Sequence, residues 1–600
     1  MPGLTTVLLV AELQVSEIRL RRCFWPASLM INLMIVSLLM LVQSVGFRGV
    51  LLGDEIDLVL VNGKVVTMDE RLPVAEAIAV GRGKIVHVGT SASALALKED
   101  STKIIDLKGK LVVPGFIESH AHLTGIGKML SSLDLTTAKS WDEIVGMVEE
   151  AASNSKKGEW ILGRGWHQSL WEKLPVPNFD GYPIHDRLSE VSPDNPVLLI
   201  HRSGHMCFAN ANAMIAAGVS RSTIPPKGGE IPRNEKGEAL GVFRETAQGL
   251  VSGALAKSRE RLTLADLNRE FNQYVYLAQR ECLQYGITTF CDAGMSPIDV
   301  RRLKLLVDRG QMDMRMWIML RGSNAGLKRD ISTLKSIRNY GGHRLHVGGI
   351  KQMVDGALGA HGAWLLKPYQ DLPASTGLVV TPVETIRQTA QIAFDQNLQL
   401  CVHAIGDRAN REMLDLFEEF YSKSGDRDLR WRIEHSQHID PDDIGRFGKL
   451  GVIASMQGIH CTSDGPFVRS RLGETRSEEG AYVWQSLLSS DAVIANGSDA
   501  PVEPVNPLLG FHASVTRRMN NGKVFFGQQK MSRIQALRSY TLDAAFALFQ
   551  ESNRGSISAG KYADLVVLSE DIMTIAEDRI AKAVVTHTFV EGELVHQLKK

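Results

Sequence analysis

Six side chains able to gather around a cation each close a short apolar run: His120, His122, Lys351, His403, His435 and Asp499. Histidine makes up only 17 of the 600 residues. Its return at successive run ends, in step with one lysine and one aspartate, points to a shared centre more than to scattered core imidazoles. In Leu111-Val-Val-Pro-Gly-Phe-Ile-Glu-Ser-His-Ala-His122, β-alternation turns both imidazoles to one side of a strand and Ala121 to the other. The remaining four end Gly348-Gly-Ile-Lys351, Leu400-Cys-Val-His403, Arg432-Ile-Glu-His435 and Ile494-Ala-Asn-Gly-Ser-Asp499. A polar group capping a strand that is otherwise buried on both faces is how a parallel barrel presents a site.

The elements that must position these residues follow from the same runs. Eight barrel strands are expected at 111–119, 286–292, 314–320, 346–353, 398–404, 430–436, 451–456 and 492–498, with helical stretches between most of them. Residues 135–257 interrupt the alternation. Ser140-Trp-Asp-Glu143 opens a helix as a capping box, and later Pro and Gly clusters mark a lid-like insertion after the first strand. Asn62-Gly63 predicts a hairpin between two short strands, and further strands follow to residue 110. Residues 551–600 return to the same strand-rich texture. The expected fold is therefore α/β, a (β/α)8 TIM-type barrel over 111–550. A small discontinuous β-sandwich is built from 54–110 and 551–600.

Composition narrows the function. Sixty-seven basic residues balance 67 acidic ones, which disfavours a nucleic-acid partner. The six cysteines lack CxxC spacing, so neither a disulfide framework nor a zinc knuckle is implied; Cys291 and Cys401 fall in expected strands as small buried hydrophobes. Residues 23–47 carry no charge, with Arg19, Arg21 and Arg22 upstream and Asp54, Glu55 and Asp57 downstream. Residues 1–53 thus read as a tail with a hydrophobic anchor, residues 24–47 crossing a membrane once, or as a cleaved signal. The expected location is the endomembrane system (endoplasmic reticulum or perinuclear), or the secretory pathway if the segment is removed.

Pro114-Gly-Phe-Ile-Glu-Ser-His-Ala-His122 and Gly555-Ser-Ile-Ser-Ala-Gly-Lys-Tyr-Ala-Asp564 resemble signatures of the metal-dependent amidohydrolase superfamily over nearly all of residues 54–600. Gly165-Trp166-His-Gln, Arg202-Ser-Gly-His205, Lys351-Gln-Met-Val-Asp355-Gly356, His403-Ala-Ile-Gly-Asp407 and Ile433-Glu-His435-Ser-Gln437 are similar to the branch of YtcJ-like hydrolases and N-substituted formamide deformylase.

The resemblance implies one or two divalent metal ions, zinc first among them: His120 and His122 on one, His403 and His435 on a second. Lys351 would join them only as a carbamate, because an ammonium cannot coordinate a cation; its plainer reading is a strand-end lysine pairing with Asp355 or a phosphate-like substrate group. Asp499 would be both ligand and catalytic proton shuttle, or else the Asx turn that caps the next helix. Trp166, His205 and Asp355 are expected at the substrate, although an aromatic and a histidine in a lid serve equally well as packing.

Three functions stay open. The first is a hydrolase of a non-peptide carbon–nitrogen bond in a small amide or N-formyl compound. The second, implied by a closer resemblance of these branch motifs and the amino-terminal apolar segment to a plant member of the branch, is an amidohydrolase-fold component of plant far-red light (phytochrome A) signalling with weak or incidental catalysis. The third is a membrane-tethered module that binds a small amide without turnover. A homodimer is compatible with each.

Overall fold

A strand buried on both faces must be apolar almost throughout, and the segment Arg315–Leu320, with all six residues buried, shows the pattern. The computed structural model describes residues 55–599 apart from 169, 170 and 203. In it eight such segments form one sheet: β1 (Phe116–Ala121), β2 (Ile287–Met295), β3 (Arg315–Leu320), β4 (Leu345–Met353), β5 (Gln399–Ala404), β6 (Arg432–His435), β7 (Ile453–Met456) and β8 (Ile494–Asn496). Each pairs in parallel with the next in chain order. This is an α/β TIM-type barrel.

Closure between β8 and β1 occurs at the carboxyl end of the strands. The Asp499 N–H donates to the His120 carbonyl at 2.8 Å, and the His122 N–H to the Ala500 carbonyl at 2.8 Å. The buried Glu118 carboxylate completes the seam by accepting the N–H groups of His120 (2.9 Å) and Ser498 (3.0 Å).

Helices cover the outside. Asp407–Tyr421 contains neither proline nor glycine, and its Met413, Leu414, Phe417 and Phe420 are buried at helical spacing. Pro297–Asp308 starts with proline in its first turn, and the Ser296 side chain caps Asp299.

Gly115 marks a correction at the first strand. The expected run 111–119 is two strands, Leu111–Pro114 and β1, which belong to different sheets. A Cβ at Gly115 would sit 2.2 Å from Thr288 Oγ1 and 2.9 Å from Thr288 Cβ, so the Thr288 side chain packs there only because Gly115 has none. Gly115→Ala should therefore cost the roughly 1–3 kcal/mol of stability typical of overpacking, read as a lower thermal denaturation midpoint. An unchanged midpoint would show that Thr288 moves aside freely.

Beside the barrel lie a four-stranded sheet and a six-stranded sheet. The first orders Lys84–Gly89, Ala77–Gly81, Leu58–Val61 and Lys103–Asp106. The second combines both ends of the chain: Glu593–Gln597, Val585–Val590, Leu565–Leu568, Leu111–Pro114, Lys64–Val66 and Val74–Ala75. Leu60, Ile78 and Val80 of one sheet share an apolar core with Val65, Val112, Leu565 and Phe589 of the other. The Asn62-Gly63 hairpin is not formed. Leu58–Val61 and Lys64–Val66 enter different sheets; a two-residue type I′ turn needs positive φ at both central residues, and of the two only Asn62, at φ 55°, has it. At the barrel's opposite end the buried Arg315 guanidinium donates to both Asp564 carboxylate oxygens, at 2.8 and 3.1 Å, tying β3 to the terminal sheet.

Residues 133–245 fold into a sheet of their own. Its six strands order Gly229–Glu230, Val242–Glu245, Met206–Ala209, Val197–His201, Ile161–Trp166 and Leu133–Asp134, with Trp141, Ile144, Val148 and Phe208 in an apolar core. The Pro and Gly clusters that suggested a loop-like lid separate short strands.

The expected single-pass membrane location is corrected. No helix among the described residues is long and apolar enough to cross a membrane. The longest, Leu264–Gln284, is amphipathic and carries Asp266, Arg269, Glu270, Arg280 and Glu281. Residues 24–47, which carried the anchor expectation, lie outside the described residues.

Candidate metal centre

All six cation-capable residues line one cavity of about 420 Å³ at the carboxyl ends of the barrel strands, together with Ala293, Arg321, Gln352, Met353, Thr381 and Val502 among others. β1 supplies His120 with His122 just beyond it, β4 Lys351, β5 His403, β6 His435, and the turn after β8 Asp499. Lys351 Nζ lies 3.1 Å from His120 Nε2. Asp499 Oδ1 is 3.2 Å from His122 Nε2 and 3.7 Å from His120 Nε2. The His435 ring stands 4.7 Å from that of His120 and 4.4 Å from that of His403, centroid to centroid.

Two of these residues depend on unusual backbone. His435 has φ 78° and Asp499 φ 58°, left-handed conformations that cost energy for side chains other than glycine and persist where the surroundings enforce them. Ser436 follows at φ 44°, so strand alternation fails at the end of β6. As a result, Glu434 and His435, which an ideal strand would turn to opposite faces, both reach the cluster.

Neighbouring side chains orient the ring nitrogens. His120 Nδ1 donates to the Glu434 carboxylate, which leaves Nε2 with its lone pair toward the cavity. His435 Nδ1 donates to Gln457 Oε1 at 2.7 Å, freeing its other nitrogen in the same way. Arg432 locks Glu434 from behind: fully buried, it donates to both Glu434 oxygens (2.7 and 3.1 Å), to the Ser119 carbonyl (2.8 Å) and to Ser455 Oγ (2.8 Å). Burial alone would push the Glu434 carboxyl up, but the Arg432 charge and the His120 contact hold it well below the usual carboxylate range.

The electrostatics favour neutral imidazoles. Burial, then the Lys351 charge, lowers His120 to about 4 and His403 to about 3. Burial and the His403 ring put His435 well below its ordinary value, and burial lowers the Lys351 amine. Asp499 is the anion: burial opposes it, yet the His122 hydrogen bond and the His120 ring hold its carboxyl well below the normal range. The donor set fits a divalent cation. One ligand atom each from His120, His435 and Asp499 lies within 4.8 Å of the others, and the buried His403 Nε2 has no hydrogen-bond partner among the described residues.

None of the three residues expected at the substrate is in the cavity lining, though Asp355 stands directly behind His403. Trp166 is fully buried in the core of the insertion, its indole N–H donating to the Leu199 carbonyl at 3.0 Å, and is not part of the cavity lining. His205 Nδ1 lies 3.0 Å from Glu245 Oε2 on an exposed part of the same insertion. Asp355 is fully buried 3.6 Å from His403 Nε2, but its carboxylate accepts the backbone N–H groups of Trp364 (2.9 Å), Ile405 (3.0 Å) and Gly406 (2.9 Å). It braces the loop after β5, and is not the partner of Lys351. Sequence reasoning missed Glu434, Arg432, Gln457 and Arg321. Arg432 and Glu434 had a local signal, as charged residues inside the buried run that ends in a candidate ligand.

The sequence profile of the amidohydrolase family matches residues 103–596. The chain belongs to the amidohydrolase family. Among its relatives, Protein LONG AFTER FAR-RED 3 of Arabidopsis thaliana is 35% identical, covering 90% of this chain and 91% of that protein. YtcJ of Bacillus subtilis, named as an amidohydrolase, is 30% identical over 89% of this chain and 98% of its own length. N-substituted formamide deformylase of Arthrobacter pascens is 26% identical over 90% and 98%. Among solved structures, an uncharacterized metal-dependent hydrolase from Pyrococcus horikoshii has a TM-score of 0.68 at 27% identity, covering 87% of this chain and 99% of that one. The strand-one and terminal-sheet motifs that suggested an amidohydrolase lie within the matched residues, and in the fold they are the seam of the barrel and the Arg315–Asp564 clamp.

Proposed function

We propose that this chain is a metal-dependent hydrolase that cleaves a non-peptide carbon–nitrogen bond, an amide or N-formyl bond, with water as nucleophile. The observation that carries the reading is the convergence of His120, His122, Lys351, His403, His435 and Asp499 on one cavity. The likeness to a metal-dependent hydrolase and to a deformylase of N-substituted formamides supports the reaction class.

In this reading His120 and His122 would hold one divalent ion and His403 and His435 a second, with zinc the expected identity. An ion held there lowers the pKa of water toward roughly 7, which makes hydroxide available at neutral pH. Asp499 accepts the proton of the attacking water and returns it to the departing amine as the carbon–nitrogen bond breaks. Glu434 keeps the His120 ring in the tautomer that presents a lone pair. The buried Lys351 amine, lowered from its ordinary basicity, is suited to condense with carbon dioxide, and the resulting carbamate would offer anionic oxygens where an ammonium would repel a cation. Asp499 also favours an enzyme over a small-amide binding module, since recognition alone needs no anion held against two imidazoles.

The test is turnover of a panel of N-formyl amines and linear amides by zinc-replete protein. Amine release should appear, fall at least about a hundredfold on chelation, and return with metal. Mass spectrometry under mild conditions should find one carbon dioxide on Lys351. Full metal occupancy without release of amine from any member would sink the hydrolase reading.

A further inference from the structure

We infer that the substrate carries a carboxylate, held at the mouth of the cavity by Arg321. The inference deepens the proposed hydrolase and rests on that reading for the bond cleaved, though not for the anion bound.

Arg321 follows the end of β3, where its N–H donates to the Met295 carbonyl at 2.9 Å and anchors it to the end of β2. Its side chain then runs over Gly294. A Cβ on that glycine would lie 3.1 Å from Arg321 Cδ and 3.7 Å from Lys351 Cγ. Arg321 and Lys351 therefore lie alongside each other across a position with no side chain, and Gly294, at φ 141°, holds a backbone conformation that other residues rarely adopt.

Arg321 is an exposed residue that lines the cavity. Its guanidinium makes no hydrogen bond or ion pair with any described residue, whereas Lys351 Nζ is engaged with His120. A solvated surface arginine is the plainer account of an unpaired guanidinium. Two features weigh against it here: the side chain lines the reaction cavity, and its stem is seated over Gly294. Among the described residues Asp499 is the one acidic side chain in the lining, and it faces His120 and His122. A guanidinium fork matches a carboxylate through two parallel hydrogen bonds. An N-formyl or N-acyl amino acid combines this anion with the bond proposed for cleavage.

The experiment measures binding by calorimetry to zinc-loaded full-length protein, using N-formylglycine and its neutral methyl ester, with turnover of both followed separately. Wild type should bind the carboxylate at least about tenfold more tightly than the ester, Arg321→Gln should bring the ratio close to one, and Arg321→Lys should recover part of it. Equal binding of both probes by wild type, no measurable binding of the carboxylate, or a preference surviving in Arg321→Gln would each overturn the inference. A carboxylate preference without cleavage of either probe would support Arg321 as the anion site and count against the hydrolase. Cleavage of both without preference would leave the hydrolase standing and remove the role of Arg321.

Discussion

Replacing Asp499 with asparagine should lower kcat by roughly a hundredfold to ten-thousandfold, the range that a positioned general acid–base contributes, while leaving the metal content close to wild type. Asparagine tolerates the left-handed backbone that Asp499 adopts at φ 58° and keeps the N–H that bonds the His120 carbonyl, so the turn closing the barrel survives. It retains an oxygen near His122 but cannot accept and return a proton. Elemental analysis beside steady-state kinetics checks the result. His120→Ala provides the contrast, because it deletes a ring shared by Lys351, Asp499 and Glu434 and should lose metal and activity together. Wild-type rates in both variants would refute the mechanism.

The second large effect concerns stability. Arg432→Met should destabilise the protein by about 3–5 kcal/mol, the usual cost of leaving a buried charge without its partner. Arg432 and Glu434 are both fully buried, and Glu434 would then face the barrel interior with only His120 to hold it. The double variant Arg432→Met with Glu434→Leu should be less damaged than the single one, since no uncompensated charge remains. Denaturant midpoints of the two proteins decide the matter. A double variant at least as unstable as the single would mean that packing around Arg432 matters more than charge. Activity should stay low even where stability returns, because His120 Nδ1 has lost the carboxylate that orients it.

Much of the site was legible because its signals are local. The strand-end residues at 351, 403 and 435 each follow a buried run within the same strand, and alternation alone places His120 and His122 on one side. The residues that orient them were not legible. Glu434 meets His120 across 314 residues of chain, and Gln457 meets His435 across a neighbouring strand; neither carries a pattern in its own segment that names its partner. Trp166 shows the converse. Its motif resembled that of the family and its type suits a substrate wall, yet a fully buried indole bonded to Leu199 is part of the insertion's core.

Apolar periodicity and the spacing of titratable residues by themselves determined that strands alternate with helices and that six cation-capable side chains stand at strand ends, because both are set by interactions within a few residues. Tertiary structure alone decided how the barrel shuts, with Asp499 on His120 and Glu118 on Ser498. It also sent the strands flanking Asn62-Gly63 into separate sheets and left Arg321 over Gly294 beside the cavity. These are contacts between segments far apart in the chain, and their geometry exists only once the sheets have packed.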